Sequence, residues 1–280
     1  MKQVLLPLFI LAAPIMAQER VLSLDYCADQ YVLALAEPGH VIGLSPAADS
    51  EYSYLAERAS GLPQLRPTGE EVLLAEPDIV IRQWGGGYNV GVYLERFGIP
   101  LAQISFGVDI ESARTNLRSI AAALGETDKG EQLMRAMDDR LARIKSELPA
   151  EARPPRALYV TPAGITTGSG TFVHEMMVAA GVINMGAEGG REGWLEINLE
   201  AIALNPPDLI VGAFFDLQSN HTNSWSVARH SFLQEVMQET PTILIPGSQI
   251  ACATWFFVDA AEAIHEAALR WSAQQVASRR

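Results

Sequence analysis

A twelve-residue unit occurs twice in this chain, and it limits the folds available more than any other feature. Glu70-Glu71-Val72-Leu73-Leu74-Ala75-Glu76-Pro77-Asp78-Ile79-Val80-Ile81 is matched by Glu200-Ala201-Ile202-Ala203-Leu204-Asn205-Pro206-Pro207-Asp208-Leu209-Ile210-Val211. In each, a glutamate stands seven residues before a Pro-Asp turn that feeds a short apolar run. The pattern predicts a helix, a turn and a buried strand. Found twice, it points to duplicated lobes. Between the copies lies Thr127 to Leu148, where Met134, Met137, Leu141, Ile144 and Leu148 recur at spacings of three, four, three and four. That is one stripe of an α-helix. Arg135, Asp138, Asp139, Arg140, Arg143 and Lys145 fill the other face, which is expected to meet water. Thr127 is the expected N-cap after Gly125, and Pro149 the stop. Such a helix spans roughly 33 Å and reads as a strut between the lobes.

The flanks of the strut both alternate strand and helix. Before it, strands are expected at Val21–Leu24, Val41–Leu44, Ile79–Ile81 and Leu101–Ile104. Helices are expected at Tyr31–Ala36, Glu51–Ser60, Glu70–Ala75, Val90–Phe97 and Ile110–Leu124, with Asp25–Gln30 a polar turn. After it, strands are expected at Ala157–Thr161, Leu209–Val211 and Thr242–Ile245, with Gly164–Gly170 and Glu188–Gly193 as loops. Alternation of this kind argues for a mostly parallel sheet in each lobe. The expected organisation is α/β: an N-terminal lobe over 18–126, a connecting helix over 127–148 and a C-terminal lobe over 149–280.

Residues 1–17 read as a signal peptide. Lys2 precedes an apolar run from Val4 to Ala17, too short to span a bilayer comfortably. Cleavage is expected after Ala17, although Ile15 is not the small residue usual three positions from a cut. Leu24-Asp25-Tyr26 lacks the small residues that should precede a lipoprotein cysteine. A soluble exported protein is therefore expected, and it is expected to be a monomer. Net charge is −13 from 20 basic and 33 acidic residues, which argues against nucleic acid and against an anionic membrane surface as partners. Cys27 and Cys252 are the two cysteines. They either pair in a disulfide or remain two buried or cleft-facing thiols, and the sequence leaves these open.

No hydrolase elbow, phosphate loop or dinucleotide fingerprint is present: Thr167-Gly168-Ser169-Gly170 has the wrong spacing for a nucleophile, and Gly85, Gly86 and Gly87 read as a cleft loop. The five histidines include no pair at helical metal-ligand spacing, and His221 and His230, which flank Trp225, read as loop residues. No metal site, cofactor or catalytic residue is expected. What remains is aromatic residues after strand ends: Tyr52, Tyr54, Trp84, Tyr88 and Phe106 in the first half, and Trp194, Phe214, Phe215, Trp225, Trp255 and Phe256 in the second. Ligands bind there in open α/β sheets, and flat side chains with a polar tip suit a large, partly aromatic ligand. Tyr52, Trp84, Tyr88, Phe215 and Trp255 are the expected ligand contacts, with Arg229 and Asp216 as polar candidates.

With these residues in view, the chain resembles the periplasmic substrate-binding proteins of ABC importers for cobalamin and ferric siderophores. The resemblance rests on the opening strand Val21–Leu24, both glutamate–proline units, Gly98-Ile99-Pro100 and the Thr127–Leu148 helix. It is nearest to a subgroup with Cys-Ala-Asp-Gln, here Cys27 to Gln30, and a second cysteine before the last helix, here Cys252. The resemblance implies two lobes on one rigid helix, no enzymatic activity, and a corrinoid, ferric siderophore or heme-like ligand that carries its own cobalt or iron. Cys27 is counted with the ligand-contact candidates. The resemblance also implies that Glu70 and Glu200 dock onto a two-fold permease dimer, with Glu71 able to share the first role. A ferric catecholate would call for several pocket arginines, so cobalamin or a hydroxamate chelate is favoured. The alternative is an exported thiol-dependent enzyme using Cys27, which requires a free, exposed thiol beside a base.

Overall fold

The structure, a computed structural model, describes residues 20–148, 153–217 and 230–278. The expected signal peptide, Pro149, His221, Trp225 and Arg229 lie outside them. The first half runs β1 (Val21–Ser23), α1 (Tyr26–Leu35), β2 (Val41–Gly43), α2 (Gly69–Leu74), β3 (Ile79–Arg82), α3 (Val90–Arg96) and β4 (Leu101–Gln103). Then come α4 (Ile110–Ala123) and α5 (Thr127–Glu147). The second half runs β5 (Arg156–Val160), β6 (Ile165–Thr167), α6 (Phe172–Ala179), β7 (Ile183–Asn184), β8 (Trp194–Glu196), α7 (Leu199–Leu204), β9 (Leu209–Ala213), α8 (Ser231–Glu239), β10 (Thr242–Ile245), α9 (Gly247–Ile250) and α10 (Val258–Ser278).

Each half holds a four-stranded parallel sheet, ordered β2-β1-β3-β4 and β10-β9-β5-β7. Numbered within its own half, each sheet reads second-first-third-fourth, so the halves share one topology. The Pro-Asp turns explain why. Asp78 N–H donates to Arg20 O at 2.9 Å, and the Asp78 carboxylate accepts from Arg20 N–H at 2.8 Å. Asp208 makes the same two bonds with Arg156, each at 2.8 Å. Each aspartate thus pins the entry of its strand to the entry of the lobe's first strand. Pro77 and Pro207 are buried at the turns.

Strand alternation divides the core. Val21, Ile79, Ile81, Ala157, Tyr159, Leu209 and Val211 point into one apolar cluster that runs through both halves. Leu22 and Val80 point outward with Val72 of α2, and Leu158 and Ile210 do so with Ile202 of α7. Both sheets are therefore covered on two faces, as parallel sheets require.

The chain crosses from one sheet to the other through α5. Met134, Met137 and Ile144 are buried, with Leu141 and Leu148 half-buried. Two expectations change. Thr127 is the first helical residue and not the cap; Glu126 occupies that position without a side-chain capping bond. The helix start is shaped instead by a tight α4–α5 turn, in which Gly125 adopts φ 69° and Glu126 N–H bonds Ala121 O. Arg140 and Asp138, expected in water, are engaged by partners on α10 and α4 (Arg114) respectively.

Local differences have physical causes. The polar stretch Asp25–Gln30 is not a turn but the start of α1, because Asp25 caps it and Asp29 and Gln30 are buried with partners. Glu51–Ser60 holds only a 3-10 turn over Ala56–Ala59. There the Gln30 carboxamide accepts from Leu55 N–H and donates to Ser53, offering that segment bonds a helix would not use. The expected Gly164–Gly170 loop contains β6, which pairs antiparallel with β8, a strand that starts directly after the expected Glu188–Gly193 loop.

Candidate functional site

Asp25 organises the carboxyl ends of β1 and β3. One of its oxygens accepts from Ala28 N–H at 2.9 Å, capping α1. The other accepts from the N–H groups of Gln83, Trp84 and Gly85 at 2.8, 3.0 and 2.9 Å. The loop after β3 is thereby bound to the loop after β1. Gly85 is required at this approach, since a Cβ would lie 2.0 Å from Leu24 O. The result is a fixed aromatic array. Trp84 packs edge-on against Tyr26, and Tyr26 stacks on Tyr52, with centroids 5.6 Å apart in both pairs. Trp84 is 48% exposed and Tyr88, four residues on, 99%. Burial raises the Tyr26 hydroxyl above its ordinary pKa, and the neighbouring Tyr52 and Asp25 add to this. Tyr26 was not among the sequence candidates. Its signal was the Asp25 before it, an N-cap residue between strand and helix.

In the second half, Trp194 on β8 is 58% exposed above Tyr159, at 6.3 Å between centroids. Phe106, after β4, is 73% exposed. The loop that carries it reaches the other half: a Cβ on Gly107 would come 3.8 Å from Ala253 O. The chain just after β4 therefore abuts the chain that follows β10 and α9.

Cys27, Trp255 and Phe215, expected as ligand contacts, prove to be structural. Cys27 and Cys252 are joined in a disulfide, with Cα atoms 5.3 Å apart, and both are buried. Cys27 therefore faces no cleft and has no thiol for nucleophilic chemistry. Trp255 is 7% exposed, wedged edge-on between Tyr31 and Phe256. Phe215 packs into the outer cluster of the second sheet beside α7 and α8. Arg229 is outside the described residues, while Asp216 accepts from Gly247 N–H at 3.1 Å and so joins the chain after β9 to the start of α9. Tyr52 and Trp84 flank Tyr26 beyond the carboxyl end of the first sheet, and Tyr88 follows in the same loop as Trp84.

Cys252 and Trp255 belong to the junction between the halves. Tyr54 of the first half stacks on Phe256 at 4.1 Å and 10°. Its hydroxyl donates to Asp259 at 2.5 Å. Burial pushes this hydroxyl up to about 12, and the Asp259 partner adds to the shift. Arg140 of α5 reaches Asp259 at 2.7 Å and forms a two-bond pair with Glu262. The same pair holds the Glu262 carboxyl below the usual range.

Glu70 and Glu200 occupy the second position of α2 and α7, and both are exposed. Thr68 and Asn198 cap these helices through side chains that accept from Glu71 N–H and Ala201 N–H. Glu71 is engaged elsewhere, paired with Arg66 at 2.6 Å. Among the described residues no group of three or more His, Cys, Asp or Glu side chains is placed to hold a metal ion, and no helix is long and apolar enough to cross a membrane.

Known proteins agree with this architecture. The chain is 25% identical over 215 residues to the vitamin B12-binding protein of Salmonella typhimurium, covering 74% of this chain and 75% of that one. It is 25% identical over 200 residues to a cobalamin-binding protein of Halobacterium salinarum, covering 69% of this chain and 53% of that one. Among solved structures, the apo periplasmic heme-binding protein RhuT from Roseiflexus sp. RS-1 superposes with a TM-score of 0.69 at 22% identity, over 90% of this chain and 99% of that one. The periplasmic vitamin B12-binding protein BtuF of Vibrio cholerae does so with 0.65 at 17% identity, over 90% and 97%. The sequence profile described as "Periplasmic binding protein" matches residues 21–242, most of the chain. This two-lobed α/β chain belongs to the periplasmic binding protein family.

Proposed function

We propose that the chain is the substrate-binding component of an ABC importer, taking a corrinoid, with cobalamin first and heme or a ferric hydroxamate as competitors. It is a binding protein and not an enzyme. The observation that carries the ligand class is the Trp84–Tyr26–Tyr52 array, held by Asp25 where open α/β sheets receive ligands. Such a surface contacts a macrocycle by stacking and keeps polar edges for its substituents. Support for cobalamin over the competitors comes from the curated relatives above. The metal arrives inside the ligand, as cargo.

Residues 1–17 would direct export to the periplasm and be removed there. Glu70 and Glu200 would grip the permease dimer. Both helices run back toward the strand entries that Asp78 and Asp208 mark, so their first turns lie on the side of the strands' carboxyl ends. Docking and ligand release would then occur on one side of the molecule. Tryptophan emission, titrated separately with cyanocobalamin, hemin and ferrichrome, tests the reading. One ligand should quench emission saturably and be recovered unchanged, and Trp84→Ala should weaken that binding by about tenfold, the scale of a buried aromatic contact. If none of the three binds, the reading is wrong.

A further inference from the structure

The duplicated unit can be sorted residue by residue, because the same chain has solved it twice. Four positions are identical in both copies: the glutamate, the last leucine of the helix, the proline and the aspartate. Pro77 and Pro207 are buried at the turn, and Asp78 and Asp208 bond the first-strand entry. Fold maintenance explains those two pairs. It does not explain the other two. Glu70 and Glu200 are exposed, and Leu74 and Leu204 are 77% and 80% exposed. The remaining helix positions follow their own lobe: Glu71 pairs with Arg66 where Ala201 stands in the second copy, and Leu73 is matched by Ala203.

Leucine is a costly choice for a position so open to water, and both lobes make it at the same place. Each leucine lies four residues after its glutamate, one turn along the same helix face. Each lobe therefore presents a carboxylate with an apolar side chain beside it.

Resting on the importer-docking reading above, we propose that Leu74 and Leu204 are paired apolar anchors for a two-fold symmetric permease dimer. Each subunit of that partner would carry a basic side chain for the glutamate and, beside it, an apolar depression for the leucine. The carboxylates steer and set register, while the leucines, once desolvated, hold the complex. Two matched copies in one chain answer two matched subunits, which a single asymmetric partner would not require.

The test measures binding to the importer's transmembrane dimer, assembled with its ATPase subunits in lipid nanodiscs, across a salt series. Leu74→Gln and Leu204→Gln should each weaken binding by about tenfold and together by about a hundredfold, with the salt slope unchanged. Glu70→Gln with Glu200→Gln should weaken binding and flatten the slope. Melting curves of the leucine variants should match wild type, since these side chains already face water. If the leucine variants bind within twofold of wild type while the glutamate pair fails, the anchors are disproved and glutamate docking stands. If only one leucine matters, the paired arrangement is disproved. If the glutamate pair also binds normally, or wild type does not bind, the docking reading falls and the proposal with it. If wild type self-associates in sedimentation and the leucine variants do not, the face serves a second copy of this chain and the proposal is overturned.

Discussion

Asp29 lies beyond the reach of solvent, near the carboxyl end of β1. The Ser23 hydroxyl donates to it, as do the Ser45 hydroxyl at 2.5 Å and the Ser45 N–H at 3.0 Å. Burial pushes its carboxyl up from the ordinary 3.8 to about 6; the bonds from Ser23 and Ser45 oppose the shift, and the Asp25 charge adds to it. A carboxyl whose folded pKa is raised contributes stability below its unfolded value and loses it as pH rises through the folded value. Asp29 should therefore cost stability progressively from about pH 4 to just above pH 6. A shift of this size corresponds to on the order of 2–3 kcal/mol. The carboxyls held down by arginines, Glu188 by Arg156 and Glu262 by Arg140, act in the opposite direction: their contribution is present above the ordinary glutamate value of 4.5 and is lost as pH falls below it. Asn at position 29 keeps an oxygen for Ser23 and for Ser45 N–H, and presents an amide that the Ser45 hydroxyl can accept. Unfolding free energies of Asp29→Asn, measured in urea from pH 4.5 to 7.5, should accordingly fall less with rising pH than those of wild type. Parallel pH profiles would show that this carboxyl does not titrate in that window.

The β1–α1 corner and the loop after β3 behave as one element because a single carboxylate satisfies four N–H groups in them. Asp25→Ala removes a helix cap and strands three buried or half-buried donors. The expected loss is about 2–4 kcal/mol, more than a cap alone is worth. Asp25→Asn retains an acceptor and should lose less. If the loop positions Trp84, the alanine variant should also lose ligand affinity beyond its loss of stability, measured at a temperature where it is fully folded. An unchanged affinity would sever Asp25 from the binding face. This element also marks the boundary of what local pattern reveals. The duplicated units, the α5 stripe and most strands were legible because apolar periodicity and Pro-Asp turns act over a few residues. The start of α1 was not, because Asp25, Asp29 and Gln30 are polar yet buried, and their partners at Ser45, Ser53, Leu55 and 83–85 are far along the chain. Trp84 and Tyr88 were picked out as aromatics just after a strand and both are exposed, whereas Tyr52 is half-buried under Tyr26. Trp255 and Phe215 had the same local signature, and only tertiary packing reveals that one is wedged at the junction of the halves and the other packs, partly buried, against an outer apolar cluster. The β6–β8 pair escaped because three-residue strands amid glycines and threonines carry no period.

At the scale of the whole molecule, the two lobes are fastened by more than the α5 helix. The Cys27–Cys252 bond spans 225 residues of sequence and ties α1 to the segment before α10. Tyr31 against Trp255, Tyr54 against Phe256, and the Tyr54–Asp259–Arg140–Glu262 chain lie on the same junction. These contacts join the first half, α5 and α10 at once, and an apolar cluster continues through the junction. A hinge-bending protein keeps few contacts where it opens; this one concentrates them there. Ligand binding should therefore be accompanied by small lobe movements, and X-ray scattering should show no resolvable compaction when a saturating ligand is added. Cys27→Ala with Cys252→Ala should lower the unfolding free energy by about 3–5 kcal/mol, since closing so long a loop strongly restrains the unfolded chain. The aromatic and ionic contacts remain in that variant, so its scattering should stay close to wild type in the native state. Should the variant instead expand without ligand and contract with it, the disulfide alone restrains the lobes, and the Tyr54–Asp259–Arg140 chain is a bystander. Arg140→Met, in the presence of the intact disulfide, separates the two contributions: it should reduce stability while leaving the lobes fastened.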